Sequence, residues 1–209
     1  YRLSQGIEIR SNDVNKIDDS IFEDAALRKL NQCSGELSQI SNGRIRIEDN
    51  VDLTNLPAKL SSRMKSLKAT TLWSIDPAPD PRRKAFLEFE HSAIKERNAN
   101  VQRLFIVDCS AIRQDKDRFL ARILSDQKNG VRVRWMMDST WVDSEKAPKP
   151  IDFGIWDDDL VWLYEKNMEE KTRIWLAYLI RSEANSNRYN EIFLANWKIA
   201  KAPEELMVM

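Results

Sequence analysis

The residues with the most obvious capacity for chemistry are acidic. Asp157, Asp158 and Asp159 stand consecutively between two apolar runs in Pro150 to Glu165, PIDFGIWDDDLVWLYE, and Asp76, Asp108 and Asp138 each follow an apolar run. Carboxylates in such numbers could offer oxygen ligands to Mg²⁺ or Ca²⁺. Adjacent strand residues point to opposite faces, however, so three consecutive aspartates converge only where the backbone turns. An aspartate-rich hairpin turn is the simpler expectation. His91, the chain's single histidine, lies with Glu88 and Lys95 on the face of a helical stretch opposite Phe86, Phe89 and Ala93, and is expected to be a solvated surface residue. Cys33 and Cys109 lack a CxxC or Cys/His neighbour, so they cannot build a zinc set and are expected to be reduced thiols.

Positioning such groups is the task of an alternating series of elements. A polar stretch over residues 1–19, with a short alternating piece at Ile7 and Ile9, precedes a helix from Asp19 or Ser20 to about Ser41, with Gly43 beyond its end. Ala26, Leu30, Cys33, Leu37 and Ile40 recur on it at spacings of 4, 3, 4 and 3, the pattern of a coiled-coil seam. That helix is expected either to dock on the domain or to connect and dimerise. Then come strand 44–48, a helix opened by Pro57 with Leu56, Leu60, Met64 and Leu67 on one face, and strand 69–75. A helix from Pro81 buries Phe86, Phe89, Ala93 and Ile94, and strand 101–107 follows. Helix 114–128 buries Phe119, Leu120, Ile123 and Leu124 and stops at Asn129-Gly130. It leads to strand 131–137. The hairpin at 150–165, an apolar strand at 173–180, a helix at 183–200 and a loosely docked tail complete the chain.

This order implies an α/β domain whose mixed, mostly parallel sheet is sandwiched by helices over residues 43–209, preceded by an N-terminal segment over 1–42. Open α/β sheets bind ligands outside the carboxyl ends of their strands. The candidates for such a cleft are Asp76 and Asp108 at strand ends, Trp73 and Trp135 just inside them, and Arg103 and Arg134, charged residues within apolar strands. A basic run at Arg82, Arg83 and Lys84 after the proline-rich loop is expected to be a solvated patch.

Thirty-three Lys and Arg balance thirty-three Asp and Glu for a formal charge of zero, which argues against a general polyanion binder. The five glycines form no G-x-G-x-x-G and no phosphate loop, which removes the common nucleotide-binding enzymes; one histidine leaves a Ser-His-Asp arrangement open, but there is no G-x-S-x-G elbow. No cofactor is implied. No apolar run reaches the ~18–20 residues of a membrane span. The chain opens on Tyr1 rather than Met and is expected to be a cytoplasmic fragment of a larger protein.

The phrases ATTLWSID (69–76), AIKERN (93–98), VQRLFIVD (101–108) and QKNGVRVRWMMD (127–138), in this order of elements, resemble one half of the phospholipase D superfamily fold over roughly residues 43–201. That resemblance implies a His-x-Lys motif, with an aspartate five positions after the lysine, on a strand pair placed like Pro150–Glu165. There the histidine would attack phosphorus and the lysine bind phosphate oxygens. Setting the motif's aspartate at Asp157 puts Pro150 and Asp152 at the two catalytic positions; Asp158 gives Ile151 and Phe153, and Asp159 gives Asp152 and Gly154. The resemblance therefore implies a degenerate, non-catalytic domain with a sensory, regulatory or interaction role. Its partners would be other domains of the full protein, a second copy of the chain, or a small-molecule or nucleotide ligand. The alternatives are a metal-dependent nuclease using Asp76, Asp108 and Asp157, and a nucleic-acid-binding regulatory domain.

Overall fold

The computed structural model describes residues 20–47, 59–73, 81–142, 149–166 and 175–208. The piece at Ile7 and Ile9, the helix start at Pro57 and the strand-end Asp76 lie outside the described residues. So do the side chains of Arg82, Arg83 and Lys84. The chain divides into two compact units, Tyr1–Ile45 and Arg46–Met209.

In the first unit, helix α1 spans Ser20–Ser41. It ends at Gly43, whose φ of 73° is the left-handed conformation that glycine adopts without a Cβ penalty. Strand β1, Arg44–Ile47, follows across the boundary of the two units.

The second unit is built on the sheet, with β2 (Ser66–Trp73), α2 (Pro81–Arg97), β3 (Asn100–Val107), α3 (Cys109–Lys128) and β4 (Arg132–Met137). A 3₁₀ turn at Asp138–Thr140 precedes β5 (Asp152–Trp156), β6 (Leu160–Lys166), β7 (Trp175–Arg181), α4 (Glu183–Ile199) and the short α5 (Glu204–Met207). The sheet order is β1-β7-β6-β5-β2-β3-β4, so the hairpin strand β5 is the fourth of seven. β2, β3 and β4 pair in parallel, but β2–β5, β5–β6 and β6–β7 are antiparallel. The expectation of a mostly parallel sheet is corrected here. The helical crossovers α2 and α3 enforce parallel pairing only for β2 to β4, whereas the three-residue turn between β5 and β6 can join only antiparallel neighbours.

The two faces carry separate cores. On one, Val101, Phe105 and Val107 of β3 alternate inward with Trp135 of β4 and Trp162 of β6, packed against Ala111, Phe119 and Ile123 of α3. Phe119 meets Trp73, Phe105 and Trp135 at centroid distances of 5.2, 5.8 and 6.4 Å, the last two edge-to-face, each pair contributing about 0.5–1.5 kcal/mol beyond its buried area. On the other face, Leu104, Ile106, Phe153, Val161 and Ile180 pack against Tyr189, Ile192 and Phe193 of α4. The parity of β3 sends alternate residues to the two cores.

Several expectations change at the level of single residues. Leu67 belongs to β2, fully buried, and not to a helix, because the preceding helical turn ends at Ser61. Phe89 and Leu124, expected inside, are 41% and 39% exposed. Glu90 and Asp126 are buried instead, because both turn toward Arg103. The tail is firmly docked: Lys201 forms an antiparallel bridge with Trp135, and Leu206 is fully buried. His91 is half-buried rather than solvated.

Candidate functional site

The parallel strands end level, with Trp73 opposite Val107 and Val107 opposite Met137, so Asp108 and Asp138 follow along one rim of the sheet. Strand β5 enters from the same rim. Buried Thr70 fixes that entry, its hydroxyl donating to Ile151 O at 2.7 Å and accepting Phe153 N–H at 2.9 Å. Asp152 pairs across the hairpin with Tyr164, which completes the rim. This is the place where the implied motif would put its catalytic pair. Pro150, Ile151, Asp152, Phe153 and Gly154 occupy the positions, and His91 lies on α2.

The three aspartates of the turn are committed to structure. Asp157 and Asp158 have φ of 52° and 60°, and Asp159 N–H donates to Trp156 O at 3.0 Å, giving the left-handed pair of a tight hairpin turn. Asp157 Oδ1 accepts the N–H groups of Lys65 and Ser66 at 2.7 and 2.8 Å. Asp158 pairs with Lys68 Nζ at 2.6 Å, which also donates to Asn190 Oδ1 at 2.7 Å. Asp159 pairs with Arg181 at 3.1 Å, and its carbonyl accepts the Ser186 hydroxyl. The turn sits at the end of the sheet opposite Asp108: β3 runs eight residues, ~23 Å at ~3.3 Å per residue, between those ends. Asp108 and Asp157 cannot share a metal ion.

The sequence-level candidates do not converge. Trp73 lies at the rim, half-buried against Phe105 and Phe119. Asp108 is fully exposed and caps α3. Its side chain accepts Ser110 N–H, and hydrogen bonds from the Ser110 side chain, then from its backbone, hold the carboxyl below its ordinary pKa. Arg103 is 2% exposed beneath α2 and α3, donating to Glu90 Oε1 and to Asp126 Oδ2 at 2.6 Å each. Burial opposes its charge, but the charges and hydrogen bonds of Glu90 and Asp126 prevail and raise its pKa. Arg122 approaches Asp126 at 3.1 Å, balancing two cations with two carboxylates. Arg134 is on the opposite face, donating to Trp197 O and stacking over its ring at 5.2 Å. Trp135 is wholly buried, its indole N–H donating to Ala202 O at 3.0 Å.

A concavity that the sequence reading missed lies on the edge strand. A groove of about 490 Å³ is lined by Arg132, Val133 and Arg134 of β4, with Gln127, Trp197 and Pro203 among its walls. Arg132 and Arg134 are two apart on β4 and therefore share a face. The signal available in the sequence was the RVR repeat, but nothing local marked β4 as the edge of the sheet. Among the described residues no cluster of three or more His, Cys, Asp or Glu could hold a metal ion. Both described cysteines are exposed and unpaired in disulfides, and no described helix is long and apolar enough to cross a membrane.

No protein-family model matches the chain, and no curated protein matches it. Solved structures do resemble it. NucT from Helicobacter pylori aligns over 76% of this chain and 98% of its own, at 10% identity and a TM-score of 0.52. Nuc from Salmonella typhimurium, described as a phospholipase D family member, aligns over 70% of this chain and 88% of its own, at 14% identity and a TM-score of 0.48. TrmBL2, described as an archaeal chromatin protein with a novel mode of DNA binding, aligns over 87% of this chain at 10% identity and a TM-score of 0.47; the match spans 64% of TrmBL2, under two thirds of its length. At such identities the likeness is one of fold. The chain has a mixed α/β fold similar to that of NucT.

Proposed function

We propose that this chain is a non-catalytic, phospholipase D-like domain that serves as a regulatory or interaction module of a larger protein. The observation that carries the reading is the central hairpin. Its rim end has proline, aspartate and apolar residues where a nucleophile and a phosphate-binding lysine would stand, and its turn end spends all three aspartates on hydrogen bonds and ion pairs. A phosphoryl transfer of the family's kind needs a nucleophile beside an oxyanion-stabilising cation. The chain's single histidine is on α2 and not on either strand of that pair.

The test is hydrolysis of a chromogenic phosphodiester and of single- and double-stranded DNA, with and without Mg²⁺ or Mn²⁺. No turnover above background is expected. Turnover that disappears in His91→Ala or Asp152→Asn overturns the reading.

A second reading, nucleic-acid binding without catalysis, is favoured by one feature. Arg132 and Arg134 line the groove at the β4 edge despite the balanced net charge. Retention on DNA that weakens with salt and is lost in Arg132→Ala with Arg134→Ala would select it.

A further inference from the structure

We propose, resting on the reading of this domain as an interaction module, that the open edge of β4 docks an extended acidic peptide as an added antiparallel strand. The tail already shows how this edge pairs. Trp135 N–H donates to Lys201 O at 3.0 Å and Lys201 N–H to Trp135 O at 2.8 Å, an antiparallel bridge at the free side of β4. Backbone groups alternate in direction along a strand. The N–H and C=O of Val133 and the C=O of Val131 therefore point the same way as those of Trp135. Val131 N–H is taken by Asp126 O at 3.0 Å, but no described residue bonds the other three groups. The tail leaves the edge at Pro203, which has no N–H to continue the pairing and stands at the start of α5. Val131 and Val133 line the groove although they are only 3% and 6% exposed, so what they present there is main chain.

The groove selects its occupant. A strand entering where the tail leaves exchanges both bonds with Val133, and its residue two further on donates to Val131 O. The residue between those two stands opposite Arg132, and the one before them beside Arg134, on the face that the two arginines share. Acidic side chains at alternate positions fit both. Arg132 spends Nη2 on Asn100 Oδ1 at 2.6 Å and Arg134 spends Nη1 on Trp197 O, which leaves each guanidinium further N–H groups for a carboxylate. A second copy of β4 does not fit, because antiparallel self-pairing centred on Val133 sets each Arg132 opposite an Arg134. A nucleic acid fits less well than a peptide. Its phosphates would meet the outward carbonyls of Val131 and Val133, and the carboxylate of Glu204 lines the same groove. A peptide supplies N–H groups to those carbonyls and carries its charge only at alternate positions. All the lining residues belong to the second unit.

The experiment titrates the 209-residue chain into a fluorescein-labelled, end-capped peptide, Gly-Glu-Val-Glu-Val-Glu-Gly, and reads anisotropy. Saturable binding is expected. N-methylation of both valines removes the donors to Val133 and Val131 and should weaken binding by about tenfold or more. Methylating the first two glutamates, whose N–H groups point away from β4, should weaken it by less than about threefold. Arg132→Ala with Arg134→Ala should weaken binding by about tenfold or more while the melting transition persists. The methylated peptides leave the protein unaltered, so they decide the matter even where the double variant fails to fold. Phosphodiester hydrolysis by the chain would remove the interaction-module reading without changing this titration, which tells the two failures apart. Absence of binding overturns the proposal, and so does binding indifferent to valine methylation. A single-stranded oligonucleotide of matched charge that displaces the peptide and binds more tightly also overturns it.

Discussion

Asp157 and Lys65, 92 positions apart in the chain, are joined by a 2.7 Å hydrogen bond from the Lys65 N–H to the Asp157 carboxylate, and Ser66 N–H donates to the same oxygen at 2.8 Å. That carboxylate fastens the hairpin turn to the first residues of β2. Replacing it should loosen the centre of the sheet. Asp157→Ala loses both bonds and places a Cβ-bearing, non-polar residue at a φ of 52°, costing about 2 kcal/mol. Asp157→Asn keeps an acceptor and tolerates that conformation, so its loss should be smaller. Denaturant midpoints of the two variants check the order.

The buried ion cluster should respond far more sharply. Asp126→Ala leaves Arg103 and Arg122 short of a counter-charge beneath α3, and Glu90→Ala removes the other buried acceptor of Arg103. Each is expected to cost about 3–5 kcal/mol, the range for breaking a buried pair by removing one partner. Urea unfolding followed by tryptophan fluorescence measures it, and a loss under 1 kcal/mol would show the cluster to be dispensable.

Asp108 predicts an acid-side effect of fixed sign. Its folded pKa lies below the ordinary aspartate value, so its carboxylate stabilises the α3 cap above the ordinary aspartate range. The contribution is lost as pH falls through the lower folded value. Asp108→Asn retains a capping oxygen without a titrating group. The melting temperatures of wild type and Asp108→Asn should therefore change relative to one another only in the acid limb, below about pH 4.

The docked tail gives a fourth test. Ending the chain at Ala200 removes the bridge between Lys201 and Trp135, the acceptor of the Trp135 indole N–H, and the buried side chain of Leu206. A loss of about 2–4 kcal/mol and a red shift in tryptophan emission are expected. An unshifted spectrum would mean that Trp135 stays covered without the tail.

The order of elements could be read from residues alone because each repeats its own period over several turns or pleats. Helix α1 begins and ends at the expected residues, and the turn chemistry of Asp157 to Asp159 was visible as a run no strand could bury. The start of α3 was less legible. Asp108 caps a first turn at Cys109, and the backbone breaks from helical geometry at Asp115, so the regular pattern begins only beyond it. Strand direction was harder still, because an apolar run such as β7 carries no sign of whether its neighbour is parallel. The fates of Arg103 and Arg134 also depended on distant partners, Glu90 and Asp126 for one and Trp197 for the other. A charged residue in a strand announces that it must be paired, but not whether the pairing is structural or poised for a ligand.

The antiparallel pairing of β2 with β5 has a kinetic consequence. Leu67 and Trp156 are neighbours in the sheet, yet the chain between them must close a loop of nearly ninety residues, at an entropic cost of roughly 4 kcal/mol above a unit contact. The hairpin, β7 and α4 are close in sequence and can assemble early. The seam between the two halves of the sheet must form late, and during synthesis β2 has no antiparallel partner until Trp156 has emerged. Variants at Asp157 should therefore act mainly on the joining of the two halves, speeding unfolding more than they slow folding, where Asp126 variants act within the first half.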